Sequence, residues 1–109
     1  MDDTEKEKTI HNLQMLEQNL QHILLQKQAF QMELHETQSA MKEIEKSGED
    51  IFKIIGQLMI KTEKEKVKED LLGKKKFLEI RLKNIEKQEI SLSQKLEETR
   101  KEIISDVSE

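Results

Sequence analysis

Ile51-Phe52-Lys53-Ile54-Ile55-Gly56-Gln57-Leu58-Met59-Ile60 is a short, almost unbroken apolar run set between two long helical patterns of nearly equal length. Its reading decides the fold. The run is rich in β-branched residues, is bounded by Ser47-Gly48 before and Thr62 after, and carries Gly56 at its centre. These are the marks of two short strands with a turn between them rather than of a continuing helix. Ile51 and Ile55 fall on one face and Phe52 and Ile54 on the other, while Leu58 and Ile60 oppose Met59, so both faces of the hairpin are apolar. A lone two-stranded hairpin is marginal in water, and one with two apolar faces and open edges is an association surface. The expected oligomerisation residues are therefore Ile51, Phe52, Ile54, Ile55, Leu58, Met59 and Ile60.

On either side of the run the apolar residues change period. Stepping alternately by four and three from Thr9 lands on Leu13, Leu16, Leu20, Ile23, Lys27, Phe30, Leu34, Thr37, Met41 and Ile44. The same walk from Leu71 gives Lys75, Leu78, Leu82, Ile85, Glu89, Leu92, Leu96, Thr99 and Ile103. This spacing keeps one stripe of a helix turned toward a partner, and no proline interrupts it. The intervening Gln, Glu and Lys residues favour helix and stay hydrated. Thr62-Glu63-Lys64-Glu65 has the spacing of a capping box, which places the start of the second helix at Thr62. Each arm, at about 1.5 Å per residue, is expected to reach on the order of 60 Å.

If the chain turns back near Gln57 and Leu58, facing seam positions sum to about 115 along the whole hairpin. Ile44 then meets Leu71, Phe30 meets Ile85, Ile23 meets Leu92 and Leu13 meets Ile103. Lys27 falls opposite Glu89, so two exceptions to the apolar pattern share one layer; such a layer sets register more than it adds stability. Read as independent surface charges, the two would match only by accident. The expected fold is mainly α: an antiparallel two-helix coiled-coil hairpin with a short central β-hairpin, which several subunits are expected to pool into a shared sheet or barrel; the resemblance given below implies the oligomeric β-barrel platform. One domain spans residues 1–109, with arm 1 at about 9–46, the β-hairpin at about 50–61 and arm 2 at about 62–105.

Composition narrows the function classes. Of the 109 residues, 34% are hydrophobic and 39% charged, with no Pro, Trp, Tyr or Cys and only three Phe, so burial must run along a thin seam. Without cysteine there are no disulfides, thiolate nucleophiles or thiolate metal sites, which fits a reducing cytoplasm. No stretch approaches a membrane span, and the acidic start Met1-Asp2-Asp3-Thr4-Glu5 lacks the apolar segment of a secretory signal. The net charge of −4, with acids and bases interspersed, leaves no electrostatic footprint for nucleic acid. Lys74-Lys75-Lys76 reads as a solvated helix face, and a nucleic-acid role would need retention on DNA or RNA at low salt. His11, His22 and His35 stand outside any recognised metal-ligand motif, Gly48, Gly56 and Gly73 are isolated, and no serine has a base beside it. No catalytic, cofactor-binding or metal-binding residue emerges, and the chain is not expected to be an enzyme. Gly73 weakens the second helix by about 1 kcal/mol relative to Ala with no evident role.

Phe52-Lys53-Ile54-Ile55-Gly56-Gln57-Leu58-Met59-Ile60-Lys61-Thr62, followed by Glu63-Lys64-Glu65-Lys66 and later by Leu78-Glu79-Ile80-Arg81-Leu82 and Glu86-Lys87-Gln88-Glu89, resembles the β-type subunits of prefoldin, most closely the archaeal ones. The similarity runs from about Leu20 to Leu96, and the hairpin with its entry into the second helix is its specific part. The resemblance implies a hexamer of two α-type and four β-type subunits, with the hairpins in a barrel platform and six coiled coils hanging from it. It further implies an ATP-independent holdase, cytoplasmic and without cofactors, that binds unfolded polypeptide clients and delivers them to a group II chaperonin. The client-contact candidates carried onto this chain are Ile10, Leu13, Met15, Leu16, Ile103, Ile104 and Val107. Ile10, Met15, Ile104 and Val107 lie off the seam, where a two-helix pair does not need them and exposed apolar surface tends to mean binding. The competing reading is a structural coiled-coil scaffold or tether whose tips bind one defined partner; a scaffold would ignore unrelated unfolded proteins.

Overall fold

The computed structural model describes residues 2–108, with side chains as far as Asp106. Helix α1 covers Asp3–Lys46, strand β1 Ile51–Ile55, strand β2 Leu58–Thr62 and helix α2 Lys64–Ser108. The chain divides into two compact units, Ala29–Leu82, here the hairpin unit, and Met1–Gln28 with Lys83–Glu109, here the terminal unit.

Helix α1 begins where the sequence supplies a side-chain acceptor for an orphan amide. At α1, the Asp2 carboxylate accepts from the Glu5 amide at 2.8 Å and the Asp2 carbonyl from the Lys6 amide at 3.0 Å, with Asp3 and Glu5 in the first turn favouring the helix dipole. The start of α2 differs from the sequence expectation. Thr62 is claimed by the sheet, where it pairs with Ile51, and the first helical bond runs from the Val67 amide to the Glu63 carbonyl at 3.1 Å. Glu63 rather than Thr62 therefore occupies the capping position, because strand pairing fixes the backbone of Thr62 in an extended form.

Exposure along the helices follows the four-three walk. Every seam position from Thr9 to Ile44 and from Leu71 to Ile103 is buried or half-buried, whereas most of the residues between them are exposed. In the hairpin unit Ile44, Leu78 and Leu82 are buried, and Leu78 retains only 1% of its surface. Truncating such a residue to Ala costs about 2–5 kcal/mol, which makes the seam the dominant stabilising feature. In the terminal unit Ile85 and Leu96 have the same role.

Threonine at a seam position brings a hydroxyl that an apolar stripe cannot satisfy. Thr37, buried to 3%, donates to the Glu33 carbonyl one turn back at 2.8 Å, and Thr9 and Thr99 do the same to Glu5 and Lys95 at 2.9 and 2.8 Å. Bonding within the same helix avoids the roughly 1–3 kcal/mol penalty of an unmade buried bond.

Lys27 and Glu89 meet in the terminal unit as their matching positions predict, the ammonium donating to Glu89 Oε2 at 2.9 Å. The hydrogen bond to Glu89 holds the Lys27 ammonium above its ordinary value of 10.5, against a smaller opposing effect of burial. Arg100 and Glu17 at 3.4 Å and Lys6 and Asp106 at 3.2 Å are further ion pairs between the helices of this unit.

The turn is Gly56-Gln57, centred slightly earlier than the sequence suggested. Gly56 has φ 60° and no other described residue has positive φ, so the two-residue loop is of the type that needs glycine at its first central position and matches the strand twist. An added Cβ at Gly56 would meet nothing within 4 Å, so a substitution there acts through the backbone alone.

Three expectations follow. Exchanging the charges, Lys27→Glu with Glu89→Lys, restores thermal stability toward wild type when either single reversal lowers it; purely additive effects would show that the layer does not set register. Because the folded-state pKa of Lys27 is raised, its contribution is complete below 10.5 and is lost as pH climbs through the raised value; a flat difference between wild type and Lys27→Met across alkaline pH contradicts this. Separately, Gly56→Ala destabilises the hairpin by about 1–2 kcal/mol, read as earlier proteolysis or faster amide exchange of residues 51–62 with the helical signal retained.

Candidate functional site

The antiparallel register Ile51↔Thr62, Phe52↔Lys61, Lys53↔Ile60, Ile54↔Met59 and Ile55↔Leu58 sorts the hairpin side chains into two faces. Cross-strand partners share a face, so Ile51, Lys53, Ile55, Leu58, Ile60 and Thr62 form one and Phe52, Ile54, Met59 and Lys61 the other. Both faces are open. Ile54, Met59 and Leu58 expose 69%, 68% and 67% of their surface, Phe52, Ile55 and Ile60 are also exposed, and Ile51 is half-buried. The seven residues expected to form the assembly surface are thus brought together, six of them exposed and Ile51 half-buried in the isolated chain.

The backbone is open as well. With a two-residue loop the flanking pair Ile55 and Leu58 exchange hydrogen bonds, as do every second pair along the ladder. The amides and carbonyls of Phe52 and Ile54 on one edge, and of Met59 and Lys61 on the other, then point away from the hairpin. Among the described residues the sheet has two strands.

The hairpin is joined firmly to the helices. Ser47, just past α1, donates through its hydroxyl to the Ile44 carbonyl at 2.7 Å, and the Lys64 ammonium donates to the Ser47 carbonyl at 2.8 Å. Lys68, one turn further along α2, meets Glu45 at 2.9 Å. The hydrogen bond to Lys68 holds the Glu45 carboxyl below its ordinary range, and the same bond raises Lys68. Lys64 and Lys68 thus bind the end of α1 to the start of α2, which the sequence reading missed; two lysines one turn apart facing a helix C-terminus were the available signal. Beneath the hairpin face that carries Ile51, Ile55 and Ile60 lies a groove of about 610 Å³, closed on the α2 side by Lys66, Val67, Asp70, Leu71 and Lys74.

The client-contact candidates divide by position. Ile10, Met15 and Ile104 are exposed off the seam, whereas Leu13, Leu16 and Ile103 are half-buried within it. The Val107 side chain lies outside the described residues. Met15 and Leu16 line a shallow groove of about 360 Å³ with Asn12, Asn19, Lys95, Glu98, Thr99 and Glu102. Exposed apolar residues continue elsewhere on the helices, at Leu25, Met32, Phe77, Ile80 and Ile90. The sequence reading did not single these out as a surface, although their off-seam positions carry the same signal as Ile10 and Ile104.

Among the described residues no cluster of His, Cys, Asp and Glu could hold a metal ion, and no helix is long and apolar enough to cross a membrane.

The prefoldin-subunit family pattern matches residues 7–109. Prefoldin subunit beta of Thermococcus onnurineus is 43% identical over 93 residues, covering 84% of this chain and 80% of that protein. Prefoldin subunit beta of Pyrococcus furiosus is 39% identical with the same coverage, and that of Archaeoglobus fulgidus 31% identical over 86% of this chain and 83% of the relative. The crystal structure of the prefoldin beta subunit from Thermococcus strain KS-1 superposes with a TM-score of 0.84 at 36% identity, covering 94% of this chain and 91% of that one. Two long helices joined through an antiparallel hairpin, and sequence similarity over most of the chain, place the protein in the prefoldin family of chaperone subunits, among relatives that are beta subunits.

Proposed function

We propose that this chain is the β-type subunit of a cytoplasmic, ATP-independent holdase in which four copies combine with two α-type subunits, and that the complex holds unfolded polypeptides for delivery to a group II chaperonin. The observation that carries the assembly part is the hairpin, whose exposed apolar side chains occupy both faces while its two edges leave backbone groups unpaired. Burying one Leu, Ile or Phe contributes about 1.5–3 kcal/mol, so pooling several hairpins into a closed barrel removes a large unfavourable exposure and abolishes the edges together. Ile51, Phe52, Ile54, Ile55, Leu58, Met59 and Ile60 are the proposed assembly residues.

Client holding is assigned to the ends of the helices, through Ile10, Met15 and Ile104 with the neighbouring seam residues Leu13, Leu16 and Ile103, and with Val107. Exposed aliphatic and thioether side chains suit varied apolar segments, because methionine adapts its shape and no fixed polar geometry restricts the partner. Weak contacts at several arm ends would add through multivalency rather than through any one tight site. Nucleotide is not required for holding of this kind.

Two outcomes test the reading. Ile54→Lys combined with Leu58→Lys puts a charge on each face of the hairpin; sedimentation with the α-type subunit should show loss of the hexamer with helical content retained, and an intact hexamer would remove the hairpin from the interface. Ile10→Ser, Met15→Ser and Ile104→Ser together should leave assembly unchanged and reduce protection of several unrelated unfolded proteins against aggregation. Each change removes apolar contact at about 25 cal/mol per Å² covered by a client. Undiminished protection would relocate the client site, and absence of protection by the wild type would favour the scaffold reading.

A further inference from the structure

The hairpin carries one side chain that is chemically reactive as well as apolar. Met59 exposes 68% of its surface, on the face it shares with Phe52, Ile54 and Lys61. The chain has no cysteine, so thioethers are the sulfur groups that an oxidant meets. Among the described methionines, Met15 and Met32 are exposed on α1, at 45% and 66%, and Met41 is half-buried in the seam. Met59 alone of these stands in a strand, directly across from Ile54.

Oxidation changes what this face can join. The thioether is a weak acceptor that packs as an apolar group, whereas the sulfoxide is polar and needs a hydrogen-bond donor. The face offers it none. Phe52 and Ile54 have no donor in their side chains, and the Lys61 ammonium is paired with Asp50 at 3.5 Å. In the isolated chain water hydrates the sulfoxide, and the hairpin tolerates it. Once the face is covered by apolar groups of other hairpins that water is lost, and the unmade hydrogen bond opposes association by a factor of about ten or more.

We propose that Met59 is a redox-sensitive modification site: a peroxide oxidises its thioether in the unassembled chain, and the sulfoxide keeps that chain out of the oligomer. The sulfur lone pair attacks one peroxide oxygen, and the S–O bond forms as the O–O bond breaks. The proton left on the new oxygen passes to the departing hydroxide, which becomes water. Sulfur loses two electrons and the peroxide gains them. A thiol-dependent sulfoxide reductase reverses the change, two thiols going to a disulfide with release of water. A chain already assembled has Met59 covered, so the site meets the oxidant only between folding and assembly. The inference rests on the hairpin being the assembly surface. Met15 and Met32, exposed on a helix instead, supply the comparison within the same molecule.

The test treats the full chain with limited hydrogen peroxide, mixes it with the α-type subunit, separates oligomer from unassembled chain and measures sulfoxide at each methionine by peptide mass spectrometry. Sulfoxide at Met59 should be depleted in the oligomer by about tenfold or more relative to the unassembled fraction, whereas sulfoxide at Met15 and Met32 should divide evenly. Sulfoxide reductase with a dithiol should return the unassembled fraction to the oligomer. In a second arm wild type and Met59→Leu are each compared with themselves, treated against untreated. The yield of oligomer should fall for wild type and hold for Met59→Leu; an equal fall for both would overturn the inference. Met59 sulfoxide that enters the oligomer as readily as the thioether, while Met59 in preformed oligomer resists peroxide, would overturn it and leave the hairpin interface standing. Met59 oxidised as fast in preformed oligomer as in the free chain would remove the hairpin from the interface, and the inference with it.

Discussion

Two helices packed side by side can cover one stripe of each other and nothing more. Everything else in this chain follows from that limit. The seam from Thr9 to Ile44 and from Leu71 to Ile103 takes up most of the burial that the helices have to offer, and most of the described apolar residues placed elsewhere are exposed. Burial of the seam outweighs the ion pairs around it, because most of those pairs are solvent-exposed and contribute little, whereas a single buried leucine such as Leu78 contributes about 1.5–3 kcal/mol. The polar seam positions are then accommodated in two ways. Threonines satisfy themselves within their own helix, and Lys27 and Glu89 satisfy each other across the pair.

The same limit gives the hairpin its meaning. Its strands contain too much apolar surface for a solvated turn, and among the described residues nothing covers the face carrying Ile54 and Met59. Lys64 and Lys68 clamp the base of the strands to the end of α1, so the hairpin is presented as a defined element and not as a loose loop. Membership of the prefoldin family agrees with such a division, in which helices and hairpin have separate work. Exposed apolar surface on the helices is different in kind: Ile10, Met15 and Ile104 are scattered and adaptable.

Periodicity made most of the fold legible. The break of the four-three walk into a short, almost unbroken apolar run rich in β-branched residues, and its return, marked helix, strand and helix, and the walk picked out the positions that lose solvent. The pairing of Lys27 with Glu89 was legible because a constant sum of facing positions is a geometric consequence of an antiparallel hairpin. The start of α2 was not, because Thr62 satisfies two local rules at once and only the pairing with Ile51 decides between them. Nor was the setting of Arg81 legible: Phe30 and Phe77 belong to different helices, and stacking of a guanidinium on both depends on their lateral offset, which no sequence spacing encodes. Surfaces for other molecules were legible only as apolar residues out of phase, a signal that locates exposure without naming what covers it.

Amide hydrogen exchange of the hairpin before and after mixing with an α-type subunit tests the central claim most directly, that the strands exist to be completed by other subunits. In the chain alone the amides of Phe52, Ile54, Met59 and Lys61 point outward from the two-stranded ladder and should exchange rapidly. On assembly they should become protected, because barrel closure gives each edge a neighbour. Assembly that leaves these four amides exchanging as fast as before would contradict the account and place the subunit contact on the helices.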